Sequence, residues 1–155
     1  MTAYQDENLC FHQVAIGDTW QSPARTITEA DVVNFAGVTG DFNPLHVDHN
    51  FAKSTPFGRP IAHGLLGLSL VAGLGSRSPS MSTAAFVRVV DWKFLQPIFI
   101  GDTVHVETQV LDKQAKGRRH GLITWRRQLV NQDGIIVQQG WFETLVKLPA
   151  NNAAA

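Results

Sequence analysis

A single cysteine, Cys10, stands in this chain of 155 residues. One thiol excludes an intramolecular disulfide, so nothing in the composition asks for an oxidising compartment, and Cys10 reads as a small buried apolar residue. An excess of either charge is lacking too, since 13 Lys plus Arg balance 13 Asp plus Glu. With no net charge and no run of five like charges, the surface does not attract polyanions as a whole, and nucleic acid is not expected as a partner. Long apolar runs are also missing. The longest, Ile61 to Leu74, contains His63 and Ser69 and falls short of the roughly 20 residues that cross a bilayer, which makes it a core element rather than a membrane anchor. The opening MTAYQDENLC has neither the basic start nor the apolar stretch of a signal peptide, so the expected location is the cytoplasm. Absent as well are the GxSxG of serine hydrolases, the glycine patterns of dinucleotide and P-loop sites, and any internal repeat or low-complexity tract.

What is present divides by period. One domain, residues 1–155, can bury roughly 70% of its unfolded surface in a single core. Its ordered part is expected over about 11–148, between ends (1 to about 10, and PANNAAA from Pro149) that offer little to bury. AIGDTW contains a turn at Gly17-Asp18, and SPARTI is a short extended lead into Thr28. Thr28, with Asp31 three residues on, reads as the N-cap of a helix from Glu29 to about Val38, stopped by Gly40. A short helical piece from Asp48 to about Lys53 follows. RPIAHGLLGLSLVAGLGS is the longest helical candidate after it, apolar on nearly every side and so expected to be enclosed. Its Gly64, Gly67, Gly73 and Gly75 each cost roughly 0.8–1 kcal/mol against alanine, so close approach by another element or a ligand is expected there. The C-terminal half alternates with period two in AAFVRVVDWKFL, DTVHVETQVL, GLITWRRQLV and IIVQQGWFETLVKL. Gly101-Asp102, a polar AKGRRHG loop and Asp133-Gly134 join these strands into hairpins. Helices followed by antiparallel strands indicate an α+β fold, with one apolar helix lying on a curled sheet.

The stretch Gly40 to His46, GDFNPLH, holds the densest chemistry. Asp41 and His46 lie five residues apart. On a helix that separation turns side chains by roughly 140°, and on a strand it sends them to opposite faces, so only a bent loop brings them together. Asn43 and Pro44 supply the bend, because proline presets its own φ and pushes the residue before it into the extended region. An aspartate beside a histidine favours the charged imidazole, and such a pair can hold a water and move protons near neutral pH. Residue types alone fit a plainer reading at least as well, in which Asp41 caps a turn and His46 is a satisfied buried histidine.

HVDH, with His46, Asp48 and His49, suggests metal ligands, yet more would have to come from His63 or His105 and no zinc spacing is met, so no metal is expected. Asp48 reads as a local cap and His49 as a partly exposed surface residue. His63-Gly64 opens the apolar helix directly after Arg59-Pro60. N–H groups at a helix start are unpaired and partly positive, so the Gly64 amide can polarise a carbonyl oxygen with no side chain in the way. A tight loop-to-helix junction is the alternative. Arg59, Lys93, Arg118 and Arg119 either meet an anionic ligand or face solvent. The four tryptophans and nine phenylalanines supply core surface.

GDFNPLHVD, then FGRPIAHGLL, then VVDWKFLQPIFIGDTV resemble in that order the MaoC-like dehydratases, the family of (R)-specific enoyl-CoA hydratases. The resemblance covers roughly Val14 to Leu148. It implies a hot-dog fold, an antiparallel sheet wrapped around a long central helix, here the one beginning near His63. It also implies a homodimer with acyl-CoA at or near the subunit interface. Carried over, Asp41 and His46 activate the water that adds to C3 of a trans-2-enoyl thioester, Asn43 braces the loop, and the Gly64 amide binds the thioester oxygen. Phe42 and Trp92 are candidates to line an acyl tunnel, with Arg59 and His63 also near substrate. Ser69 is a weaker candidate, because some polyester-linked members carry a serine where Ala72 stands, nearly a turn later. The substrate is a thioester of CoA or of acyl carrier protein, and no metal or redox cofactor is required. Two other roles stay open: a hot-dog acyl-CoA thioesterase, and a non-catalytic acyl-binding subunit of a dehydratase complex.

Overall fold

The computed structural model describes residues 8–149. A single 3-10 turn (Phe11–Gln13) leads to two short strands, β1 (Thr19–Gln21) and β2 (Arg25–Thr26), and then to helix α1 (Glu29–Thr39). Thr28 and Asp31 start α1 reciprocally. The Thr28 hydroxyl accepts from the Asp31 N–H, and the Asp31 carboxylate accepts from the Thr28 N–H, which satisfies donors that a helix start leaves free. Gly40 ends α1 in the left-handed region at φ 78°, its N–H on the Ala36 carbonyl, a conformation glycine reaches without steric cost.

Two one-turn helices follow, α2 (Pro44–Val47) and α3 (His49–Lys53). The bend expected across GDFNPLH is therefore partly helical. Asn43 caps α2 by accepting from the Leu45 N–H, and Pro44, with no N–H to lose, takes the first helical position. Asp48 caps α3 through the N–H groups of Asn50 and Phe51. The long apolar helix, α4, runs Gly64–Gly75, while Arg59 to Ala62 stay outside it and Ile61 bridges to Phe99.

Four long strands complete the chain: β3 (Thr83–Phe94), β4 (Thr103–Lys116), β5 (His120–Val130) and β6 (Ile136–Lys147). They form an antiparallel sheet in the order β1-β4-β5-β6-β3, with β2 also on β4. The expected AKGRRHG loop is mostly strand. Gln114, Ala115 and Lys116 pair with Leu122, Gly121 and His120, because a backbone ladder forms whether or not its side chains are apolar. Only Gly117 to Arg119 turn.

Helix α4 packs on β4 and β5. Leu66, Leu70 and Val71 meet Val104, Val106, Val110, Ile123, Trp125, Leu129 and Phe142 in one core. Arg127 occupies an inward sheet position and is buried. Its guanidinium donates to the Val71 and Gly75 carbonyls at 3.3 and 3.0 Å, where the C-terminal end of α4 is partly negative. A Cβ on Gly75 would overlap that guanidinium. Burial lowers the Arg127 pKa to about 10, so it remains a cation at neutral pH.

Three expectations need correction. Enclosure of α4 holds on one side only: Leu65, Ser69 and Gly73 are exposed. Cys10 is half-buried rather than buried. Leu9, placed with the loose N-terminal end, bridges to Met81, while residues 1–7 and 150–155 lie outside the described residues. No described helix is long and apolar enough to cross a membrane.

Removing the α1 cap by Thr28→Ala is expected to cost about 1 kcal/mol, read as a lower thermal midpoint with the same far-UV spectrum. The cap also carries acid sensitivity. Burial alone would raise the Asp31 pKa, but hydrogen bonds from the Thr28 backbone and hydroxyl, with the Arg25 charge, hold it below its ordinary 3.8. The contribution is complete above about pH 4 and is lost as pH falls through the lower folded-state value. Asp31→Asn should accordingly flatten the acid end of the stability profile.

Candidate active site

The end of α1 and the starts of α2 and α4 converge. Asp41 follows the Gly40 cap, His46 lies on α2, and His63 and Gly64 open α4. One side-chain ligand atom from each of Asp41, His46 and His63 lies within 4.8 Å of the others. Two atoms at that separation can share one water, since each hydrogen bond reaches about 2.8 Å.

The two histidines do different work. The His63 Nε2–H donates to the Asp41 backbone carbonyl at 2.9 Å, and that nitrogen lies 4.0 Å from the Asp41 Oδ2. His63 is 3% exposed, and its Nδ1 finds no partner among the described residues. The His46 Nδ1 faces the Ile61 carbonyl at 2.7 Å. A carbonyl only accepts, so Nδ1 carries the proton, and in the neutral ring Nε2 keeps a lone pair able to take one. The two rings stack with centroids 3.9 Å apart and planes at 30°, and His63 also packs on Phe35 at 5.1 Å.

The Asp41 side chain is half-exposed at 53%. Its Oδ1 accepts from the Asn43 N–H at 3.2 Å, so Asn43 holds the carboxylate with its backbone and caps α2 with its side chain. Gly64, as the first residue of α4, has an N–H without an intrahelical acceptor, at the partly positive end of the helix. His46 and Gly64 face a cavity of about 310 Å³ whose walls are chiefly apolar, among them Ile61, Phe94 and Ile98. A Cβ on Gly64 would stand 3.0 Å from the Phe94 ring.

The other sequence candidates lie elsewhere. Phe42 is 59% exposed. The Arg59 guanidinium covers the Phe99 ring at 4.1 Å, beside a separate surface cavity bounded by Asp102 and Asn131. The Ser69 hydroxyl donates back to the Leu65 carbonyl at 2.8 Å and is occupied within its own helix. His105 faces Glu107 at 3.6 Å, and His49 meets Glu29 at 2.6 Å. Trp92 does not line the cavity; its indole N–H donates to Gln138 Oε1 at 3.2 Å. Gln138, which sequence reasoning passed over, does line it. The available signal was a polar pair, Gln138-Gln139, directly after the apolar run Ile135-Ile136-Val137.

An antiparallel sheet folded around one long helix is a single hot-dog fold. Residues 12–129 match the MaoC like domain, and the chain belongs to that family. It is 35% identical over 94% of its length to a 3-hydroxybutyryl-CoA dehydratase of Methylorubrum extorquens, 88% of which is covered. It is 37% identical over 77% of its length to an (R)-specific enoyl-CoA hydratase of Aeromonas caviae, 85% of which is covered. The unliganded (R)-hydratase PhaJ1 of Pseudomonas aeruginosa superposes with a TM-score of 0.78 at 28% identity, over 91% of this chain and 89% of that one.

The hydrogen bond to Ile61 sets a tautomer that can be read directly. Long-range ¹H–¹⁵N spectra of the neutral protein are expected to show His46 as the Nδ1–H form, with Nε2 at the shift of an unprotonated ring nitrogen. The opposite assignment would leave Nε2 unable to take a proton.

Proposed function

We propose that the protein is a hydro-lyase acting on acyl thioesters: it adds water to a trans-2-enoyl thioester to give the (R)-3-hydroxyacyl thioester, and runs the reverse dehydration. The observation that carries this reading is the approach of one ligand atom each of Asp41, His46 and His63 to within 4.8 Å of one another, beside an apolar cavity that His46 and Gly64 line. The relatives named hydratase and dehydratase support the same chemistry.

The thioester carbonyl oxygen accepts from the Gly64 N–H, which draws electron density from the conjugated double bond and leaves C3 open to attack. A water held between Asp41 and His46 attacks C3 as its proton passes to one of that pair. The π electrons move toward the carbonyl, and the enolate charge is stabilised by the N–H at the helix start. C2 then takes a proton from the same pair, so one water is added and no charge is left over. This route uses no metal and no redox cofactor. The Asp41, His46 and His63 cluster has a ligand-like composition, but His63 Nε2 is already engaged by the Asp41 carbonyl, and the two rings are stacked rather than splayed around a common centre.

The substrate is a CoA or acyl carrier protein thioester, and the site works in a homodimer in the cytoplasm. The dimer reading rests on β3, the open edge of the sheet. Val87, Val89 and Phe94 there are exposed apolar residues, and an unpaired apolar edge is stable when another strand covers it. Sedimentation equilibrium should give twice the chain mass, and Val87→Glu should shift it toward the monomer. A wild-type monomer at micromolar concentration would remove the dimer from the proposal.

Crotonyl-CoA is expected to lose its enoyl absorbance when the protein is added, with (R)-3-hydroxybutyryl-CoA as product. Asp41→Asn and His46→Gln should each lose about 10²–10⁴ of that rate with the fold retained, in the range of general acid–base catalysis. Unchanged rates in both variants would refute the mechanism. Sustained release of free CoA thiol without hydration would point instead to thioester hydrolysis.

A further inference from the structure

We infer that Gln138 is a positioning residue for the Gly64 amide, and that Trp92 acts one step behind it by fixing which way the Gln138 carboxamide faces. This rests on the hydration reading above for its catalytic consequence, though not for its geometry.

Gln138 is 1% exposed, on β6, in a wall that is otherwise largely apolar. Its Nε2 donates to the Gly64 carbonyl at 2.9 Å, and its Oε1 accepts from the Trp92 Nε1–H at 3.2 Å. The order of these partners leaves one orientation. An indole N–H can only donate, so Oε1 must face Trp92, and Nε2 is then left facing a carbonyl that can only accept. Turning the amide over would set donor against donor and acceptor against acceptor in a buried place, where unmatched polar groups are costly.

The surrounding backbone is shaped for this contact. A Cβ on Gly67 would overlap the Gln138 amide, so the absence of a side chain one turn into α4 is what admits Gln138 to the helix. A Cβ on Gly140 would stand 2.9 Å from the Trp92 Cα, so Gly140 makes the corresponding space for Trp92. Trp92 itself is aimed by a bulge. Val90 pairs with Trp141 and Lys93 with Gln139, three steps on β3 against two on β6. Asp91 in that bulge has φ 48°. Bulges of this kind re-aim a side chain, and this one places the Trp92 ring 5.5 Å from the buried Phe142.

Gly64 needs such support more than another residue would. Glycine has the widest backbone freedom, and an N–H that is to meet developing charge must already point the right way. Gly64 is held on both sides: the preceding His63 side chain is tied to the Asp41 carbonyl, and the Gly64 carbonyl, in the peptide that follows, is tied to Gln138. Gln138→Leu cuts the second tie, and Trp92→Phe keeps a ring in place while releasing the amide.

The test measures both variants and their double mutant. With crotonyl-CoA, Gln138→Leu should lower kcat by about 10-fold or more with KM nearly unchanged, a smaller effect than losing an oxyanion donor outright. Trp92→Phe should lose less. The double mutant should be no worse than Gln138→Leu alone, because residues acting through one contact are not additive. The His46 tautomer should stay as in the wild type, and the Gly64 amide resonance should move in both single variants. That resonance is readable without turnover, so wild-type protein inactive on crotonyl-CoA with a shifted Gly64 signal would sink the hydration reading and leave the positioning intact. Additive losses, an unmoved Gly64 amide, or a raised KM at constant kcat would overturn the positioning role; the last would make Gln138 a substrate contact. Trp92→Phe is the milder change and keeps the inference testable if Gln138→Leu does not fold.

Discussion

The hydrogen bond from His63 Nε2 to the Asp41 carbonyl joins the two halves of the site. Asp41 comes from the end of α1 and His63 from the start of α4, with the short helices α2 and α3 between them in the chain. A buried histidine that donates to this carbonyl fixes the loop against the helix. The same ring then supports His46 by stacking at 3.9 Å. The Asp41 carboxylate and the His46 ring owe their proximity to that contact, together with the Ile61 carbonyl that holds His46 from the other side.

Helix α4 is held at both ends by polar side chains that reach inward from the sheet. Gln138 holds its first carbonyl, and Arg127 binds the Val71 and Gly75 carbonyls near its last turn. Each enters where glycine leaves room, at Gly67 and Gly75. Apolar packing of Leu66, Leu70 and Val71 fastens the helix to the sheet, but such packing is non-directional. The two polar contacts add register and rotation, which an N–H meant to face substrate requires. The opposite side of α4 is less covered, with Leu65 at 58% exposure, and the β3 edge is open. The β3 edge is the surface that the proposed dimer would bury.

Local structure was readable where one residue type has one physical task. Thr28 with Asp31 starts α1, Gly40 ends it, and the alternation of Val104, Val106, Thr108 and Val110 marks the core face of β4. The order of GDFNPLHVD, FGRPIAHGLL and VVDWKFLQPIFIGDTV pointed to the family that the MaoC like domain match assigns. Other features were hidden because their signal is not local. The helical turn at Pro44–Val47 looked like plain loop, since four residues carry no period. The β4–β5 hairpin ran on through AKGRRHG because its ladder is made of backbone. Trp92 was taken for a tunnel wall because an indole on a strand suggests bulk, and neither the bulge beside it nor the amide it meets leaves a pattern in the sequence.

The sequence by itself determined most of the longer elements, the α+β class, and which groups could carry protons or polarise a carbonyl, because caps, period and residue chemistry act over a few neighbours. Tertiary structure alone decided which histidine tethers and which is free to act, and that Gln138 stands behind Gly64. Those outcomes depend on distances between atoms separated by up to 74 residues along the chain, as Gln138 and Gly64 are. Such distances are set by how α4 seats on the sheet.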